Sequence, residues 1–324
     1  MILVGDIGGS KTRLAVFEPS GARTKPVVST CMDSSSHDSL ESVLNVFLDL
    51  HPVEVRAAVF GVAGPVVDGA SRTTHLSWTI RESSLAKQLG TARVLLVNDL
   101  VACARGLATL LDDELEVIQA GSPTSQGNQA VIAAGTGLGE GLLIRQGEQL
   151  ITVASEGGHV EFAPRDELEM ELWRWLRKRI PRVEYESLVS GPGLVNLYRF
   201  FHRDQSHADP WEDGGDDPPA EAICRAAMVG ACTACRETLE RFVSIFGASA
   251  GNLALTGMAT GGVFVAGGIA PKILPVLRDG RFIDAFNDKG AFADLTRSMP
   301  VRVVLNPETA LLGAAQLASE LLAG

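Results

Sequence analysis

The sequence predicts an α/β protein of two lobes in which one layered arrangement occurs twice. Its 324 residues exceed the usual size of a single core, so two cores are expected, with roughly three-quarters of the unfolded surface buried. A composition of 46% apolar residues, with 34 glycines and few aromatics, suits strands and helices alternating in layers. An apolar run, a Gly-rich turn and a second apolar run occur at 2–17 and again at 130–144.

In the first of these stretches Ile2-Leu3-Val4 leads into Gly5-Asp6-Ile7-Gly8-Gly9-Ser10 and then Leu14-Ala15-Val16-Phe17, so the glycines turn one strand into the next. Such a tip brings backbone close to a ligand and aims successive N–H groups at an anion, and Asp6 at the strand end can hold a metal through water. Phosphate with magnesium is the ligand this chemistry suits. Gly5 to Thr12 nearly spells a Walker A loop, but Ser10 stands where its second glycine belongs and strand, not helix, follows. Taken alone, the stretch reads equally as a plain hairpin turn.

Helical spacing of Leu40, Val43, Leu44, Phe47 and Leu48 predicts a helix over 39–50, and 57–63 a buried strand ending in Gly64-Pro65. A short helix is expected over 81–89. Arg93 to Val97 then reads as a strand buried on both faces, with Asn98-Asp99 at its C-terminal end, where open α/β sheets place ligands. Asp99 reads also as the cap of a helix over 101–111. Residues 111–129 read as a helix end and polar loop, with Asp112-Asp113-Glu114 solvated, and mark the lobe boundary.

The second hairpin turns at Gly135-Thr136-Gly137-Leu138-Gly139. It fails the dinucleotide fingerprint because Glu140 stands where the last glycine is required and a strand follows. Two such hairpins opening two halves are explained by a duplicated domain that grips a nucleotide. Glu156 and His159 flank Gly157-Gly158 and offer groups suited to sugar hydroxyls, although His159 reads equally as a buried structural histidine. A helix is expected over 164–179, with Trp173 and Trp175 as packing residues. Glu186 precedes a Gly191-Pro192-Gly193 turn and reads equally as an exposed cap. Residues 203–219, rich in Asp, Gly and Pro, read as a surface loop without chemistry, and 221–255 as helical. A strand over 261–266 leaves through Gly267-Gly268 into a helix begun by Pro271; the missing side chains there suit either a flat adenine or close packing. A last strand, 301–305, and a last helix, 309–322, return to the first lobe. The lobes are then 1–110 with 300–324, and 111–299.

A formal charge of −11 argues against general affinity for nucleic acid or anionic membrane. No leader pattern opens the chain and no apolar run spans a bilayer, so a cytoplasmic protein is expected. The five cysteines form no disulfide framework, and Cys232-Thr233-Ala234-Cys235, read inside a helical run over 226–246, has no second pair to complete a zinc site.

Taken in order, Gly5 to Ser10, Asn98-Asp99, Gly135 to Gly139, Glu156 to Pro164, Ser190 to Leu194 and Gly261 to Gly268 make the chain resemble, nearly end to end, the bacterial glucokinases. The resemblance implies the duplicated ribonuclease H-like fold of actin and hexokinases, with a cleft between two lobes. It implies glucose phosphorylation at the 6-hydroxyl by ATP with Mg2+, and a homodimer. Asp99 would be the general base, and Asn98, Glu156, His159 and Glu186 would hold the sugar. Gly5, Asp6, Ile7, Gly8, Gly9 and Ser10 and the turn at Gly135, Thr136 and Gly137 would cradle the phosphates, Gly267 and Gly268 would lie near adenosine, and Asp6 would position the metal. The zinc-binding cysteines of the related repressor and kinase family are absent. Ser10-Lys11 replaces the Thr-Asn usual in this hairpin, and Glu140 is expected to face solvent or a cation. Another hexose as acceptor, another phosphoryl donor, or a sugar-sensing regulator are the alternatives.

Overall fold

The computed structural model of the chain describes residues 1–19, 23, 25–73, 76–122, 127–203, 209 and 219–323, so the loop expected over 203–219 lies almost wholly outside the described residues. Two compact units are present. One comprises Met1–Glu114, Thr152–Ala154 and Asn306–Gly324, the other Leu115–Ile151 and Ser155–Leu305.

The first unit begins as predicted. β1 (Ile2–Ile7) turns into antiparallel β2 (Lys11–Phe17), which pairs with β3 (Val28–Asp33). After α1 (Leu40–Leu50), capped by Ser39, β4 (Ala57–Val62) runs parallel to β1. A small antiparallel sheet of β5 (Val66–Val67), β6 (Ala70–Arg72) and β7 (Thr79–Arg81) precedes α2 (Glu82–Leu89). β8 (Val94–Asn98) then joins parallel to β4 and feeds α3 (Asp99–Leu107). The sheet order is β3-β2-β1-β4-β8. One face of the sheet, with Leu3, Leu14, Phe60 and Leu96, packs on Leu40, Val43, Leu44 and Phe47 of α1. The apolar runs Ile2-Leu3-Val4 of β1 and Ala57 to Val62 of β4 are what a strand covered on both faces requires.

The second unit repeats this order. Residues 115–119, expected as loop, form β9 (Leu115–Gln119), whose half-buried residues conceal a strand pattern because it lies at a sheet edge. β10 (Gln129–Ala134) turns into antiparallel β11 (Leu138–Gln146), and β12 (Gln149–Ser155) follows as its neighbour. Helices α4 (Glu167–Arg177), α5 (Gly191–Phe201), α6 (Pro219–Met228) and α7 (Thr233–Thr256) come next. β13 (Gly262–Ala266) runs parallel to β10; after α8 (Leu274–Leu277), α9 (Arg281–Asn287) and α10 (Ala293–Ser298), β14 (Val301–Val304) runs parallel to β13. The order is β12-β11-β10-β13-β14-β9, the first sheet's arrangement with β9 added antiparallel to β14. Because β14 pairs inside this sheet, the return to the first unit starts at Asn306 and not at residue 300.

Several local expectations are corrected. The helical region 221–255 is two helices, broken at 229–232, so Cys232 caps α7 and Cys235 lies in its first turn, not midway along one continuous helix. Gly191-Pro192-Gly193 is the first turn of α5, capped by Ser190, since Pro is tolerated where no intrahelical N–H is needed. Trp173 is 37% exposed, whereas Trp175 packs edge-on against Phe200, as a packing residue should. The small residues of α7 have a purpose: a side chain at Gly247 would place its Cβ 2.1 Å from the Phe282 carbonyl of α9.

Last, α11 (Thr309–Ala323) returns to the first unit. Leu311, Leu312, Ala314 and Ala318 cover the second face of its sheet, against Ile2, Val4, Phe17 and Val59. Among the described residues no helix is long and apolar enough to cross a membrane.

Candidate active site

In the first unit, three parallel strands end at the same edge of one sheet and carry the candidate chemistry. Register pairs Asp6 of β1 with Gly61 of β4, and Val62 of β4 with Asn98 of β8. Gly61 is the spacer, since a Cβ there would lie 3.1 Å from Ala102 Cβ and 3.4 Å from Asp99 Cα. Its bareness lets α3 descend onto β4 and brings Asp99 to the edge that holds Asp6. Both carboxylates lie close enough to the half-buried Cys103 thiol to help push it up to about 12, behind desolvation itself.

Asn98, not Asp99, caps α3. Its Oδ1 accepts the Leu100 N–H at 2.9 Å and its Nδ2 donates to the Gly64 carbonyl at 3.3 Å, tying the Gly64-Pro65 loop to the helix start. Asp99 is then the first helical residue, its Oδ1 sharing the Leu100 N–H at 2.9 Å. A carboxylate in the first turn is favoured by the helix dipole. Asn98 is buried, yet its amide keeps one donor hydrogen and one acceptor lone pair for a further partner.

At the tip of the first hairpin the Gly8 N–H donates to the Lys11 carbonyl at 3.0 Å. Below the tip sits Ser34, unremarked in the sequence: its Oγ donates to the Gly8 carbonyl at 2.9 Å, its N–H donates to the Ser10 carbonyl at 3.1 Å, and Thr12 Oγ1 lies 2.9 Å from its Oγ. Ser34 and Thr12 are buried and hold the turn rigid; Gly8 and Gly9 are half-buried and Ser10 and Lys11 exposed. Asp6 is half-buried opposite Arg13; burial pushes its carboxyl above the usual carboxylate range, and the Arg13 guanidinium pulls it back.

In the second unit the hairpin tip is joined to two other segments. The Gly135 N–H donates to the Gly137 carbonyl at 2.9 Å, the Gly135 carbonyl accepts the Gly191 N–H of α5 at 2.8 Å, and the Ala134 carbonyl accepts the Ile269 N–H at 3.2 Å. Thr136 is exposed. Gly267 has a left-handed backbone (φ 86), and a Cβ there would stand 2.3 Å from the Ala134 carbonyl, so only glycine fits. Gly268 is exposed with open space where its side chain would be. The second Gly-rich turn, the start of α5 and Gly267-Gly268 are thus one place.

Beside it lie the candidate sugar groups. Glu186 Oε2 accepts the Leu138 N–H at 2.9 Å, and the Glu186 N–H donates to the Gly158 carbonyl at 2.9 Å. Gly158 is pressed so closely on β11 that a Cβ would meet the Leu138 carbonyl at 2.0 Å. His159 Nδ1 lies 2.8 Å from Glu184 Oε2; that hydrogen bond raises the imidazole above its ordinary pKa, burial opposes it, and Glu186 and Glu156 add to the rise. Glu156 is exposed. His159 is therefore no core histidine: Glu184 orients it from the Nδ1 side. Glu184, in an isolated bridge with Glu161 just before the turn that carries Glu186, has no local sequence signal of this role.

Glu140 corrects an expectation. It faces inward, 7% exposed, taking a hydrogen bond from Ser249 Oγ at 3.3 Å, and burial pushes its carboxyl up to about 7. The alternation of β11 turns it to the core, and its Oε2 lies under Gly157, where a Cβ would be 2.0 Å away.

Comparison with known proteins gives a consistent result. The family model described as Glucokinase matches residues 3–321. The glucokinase of Trichormus variabilis is 37% identical, over 99% of each chain. A solved glucokinase from an Antarctic psychrotroph is 30% identical, with a TM-score of 0.81 and 98% of each chain covered. A ROK-family glucokinase from Streptomyces griseus, solved with glucose and AMPPNP, shares the fold at 21% identity, with a TM-score of 0.69 and 98% of this chain and 99% of that one covered.

Proposed function

As a member of the glucokinase family this chain is a glucose-phosphorylating kinase, and we propose that it transfers the γ-phosphoryl group of ATP to the sugar's 6-hydroxyl with Asp99 as general base. The observation that carries this reading is the shared edge of β1, β4 and β8, which delivers Asp6 and Asn98-Asp99 to one place beside a Gly-rich hairpin.

Phosphoryl transfer needs little covalent help from a protein. It needs the acceptor oxygen in line with phosphorus and the developing charge neutralised. Asp99 accepts the hydroxyl proton as the bond to phosphorus forms. Asn98 fixes Asp99 through the shared Leu100 N–H and offers its remaining amide positions to the sugar. Glu156, His159 and Glu186 read the other hydroxyls, with Glu184 holding the imidazole. Gly5 to Ser10 and Gly135 to Gly137 cradle the phosphates with N–H groups at the two tips other than those of Gly8 and Gly135, which donate within their own turns, and the open backbone at Gly268 takes the flat adenine, with Gly267 keeping it clear of side chains. The half-buried Asp6, with Asp99 near, suits Mg2+, which binds through one or two carboxylates and keeps waters and phosphate oxygens as its other ligands. Bound there, the ion would neutralise charge on the phosphates. The reaction is proposed for the cytoplasm.

The test is Asp99→Asn. Removing a positioned general base should lower kcat by about 10²–10⁴, with glucose affinity by calorimetry close to wild type. Near-normal turnover would remove Asp99 from the role.

A further inference from the structure

Cys232 and Cys235 take no part in the chemistry above, and they stand together at a helix start, one at the rim of the second unit's core and one within it. α6 ends at Met228, Gly230 adopts a left-handed backbone (φ 72), and Cys232 caps α7 with extended geometry (φ −141, ψ 125). Its Sγ accepts the Cys235 N–H at 3.3 Å. Ser, Thr, Asp or Asn fills this position better, because their oxygens are stronger acceptors than sulfur. Cys232 Sγ thus sits at the first turn of the helix beside Cys235, and its nearness helps hold the Cys235 thiol protonated, behind burial itself.

The two thiols differ as a redox couple requires. Cys232 is half-buried at the end of the exposed connection 228–231. Cys235 is enclosed in the second unit's core with Ala234 and Leu239, and burial holds its thiol far above the ordinary range. Cys232 thus stands at the accessible end of the pair and Cys235 at the enclosed end. Cys224, the third thiol nearby, is pushed up to about 12 by burial and stays protonated. Among the described residues no three His, Cys, Asp or Glu side chains group as metal ligands.

The geometry points to Cys232 and Cys235 as a reversible dithiol–disulfide site, with Cys232 the attacking sulfur and a small disulfide such as glutathione disulfide the oxidant. The Cys232 thiolate attacks one glutathione sulfur, and the other leaves as glutathione thiolate. Cys235 then gives up its proton and attacks Cys232 Sγ, expelling the second glutathione. The protein loses two electrons and two protons, and the glutathione disulfide is reduced to two thiols. The site does not depend on the proposed sugar chemistry.

The test uses the full chain in glutathione buffers of rising disulfide fraction, followed by alkylation, digestion and mass spectrometry. The expected product is one peptide lacking two hydrogens, linked between Cys232 and Cys235, with three of the five cysteines still alkylated and full reversal by dithiothreitol. Cys235→Ala should stop at a glutathione adduct on Cys232, and Cys232→Ser, which keeps a capping hydroxyl, should take up none at that position. Alkylation of both cysteines in the most oxidising buffer would overturn the inference, as would a glutathione adduct on wild-type Cys232 that never closes, or a link formed through Cys31 or Cys103.

Discussion

Glu140 carries a carboxyl that titrates near the middle of the physiological range while resting on one long hydrogen bond from Ser249. Its folded pKa, about 7, lies above the ordinary glutamate value of 4.5, so between those values the folded chain binds more protons than the unfolded one. This carboxyl's contribution to stability is therefore fully present below about pH 4.5 and is lost as pH rises through about 7. At roughly 1.36 kcal/mol per unit the loss is about 3 kcal/mol. Glu140→Gln keeps shape and hydrogen bonding without the charge, so it should flatten this dependence and raise stability at pH 8 relative to wild type. Urea denaturation at pH 5.5 and 8 measures both, and equal pH slopes in the two proteins would show that Glu140 does not titrate in this way. At this scale the sequence was legible where position names the residue, as with Asn98-Asp99 at the C-terminal end of β8. It was not legible where a role comes from a distant partner: Ser34 beneath the first turn and Glu184 behind His159 lie far from what they hold. Glu140 misled because its place in a phosphate-like motif suggested an outward role, whereas the alternation of β11 turns it inward.

Helix α3 is placed by glycine. A Cβ at Gly313 of α11 would stand 1.9 Å from the Ala102 carbonyl of α3, and one at Gly106 of α3 would stand 1.9 Å from the Thr309 carbonyl of α11. The two helices cross backbone to backbone, and α3 carries Asp99 in its first turn. Gly313→Ala should force them apart, costing about 1–3 kcal/mol of stability and lowering kcat more than it raises the KM for glucose. Denaturation and steady-state kinetics on one preparation check this, and unchanged values for both would show that the crossing can relax without moving Asp99. Most elements followed from periodicity and caps, such as α1 behind Ser39. β3 and β9 went unseen because edge strands are only half-buried, so polar residues such as Ser29, Thr30 and Glu116 stand where a core strand would be apolar. The break before α7 was hidden because small and apolar residues continue across it.

Across the whole molecule, the two Gly-rich hairpins were the legible sign of duplication. The sheets bear this out, since both place a three-stranded meander beside two parallel strands in the same order. The extra β9 and the return at Asn306 depend on pairings that no local pattern records. A homodimer is proposed from the family resemblance; sedimentation equilibrium should give twice the chain mass of 34.3 kDa, and a single-chain mass across the concentration range would reject it. The most direct test of the proposed reaction is a coupled assay of glucose 6-phosphate formation from ATP, Mg2+ and glucose, with mannose, fructose and glucosamine beside it and Asp99→Asn as control. Family membership and the proposed role of Asp99 predict glucose-selective turnover in the wild type and loss of it in Asp99→Asn. Folded wild-type protein that binds glucose yet forms no sugar phosphate would contradict it.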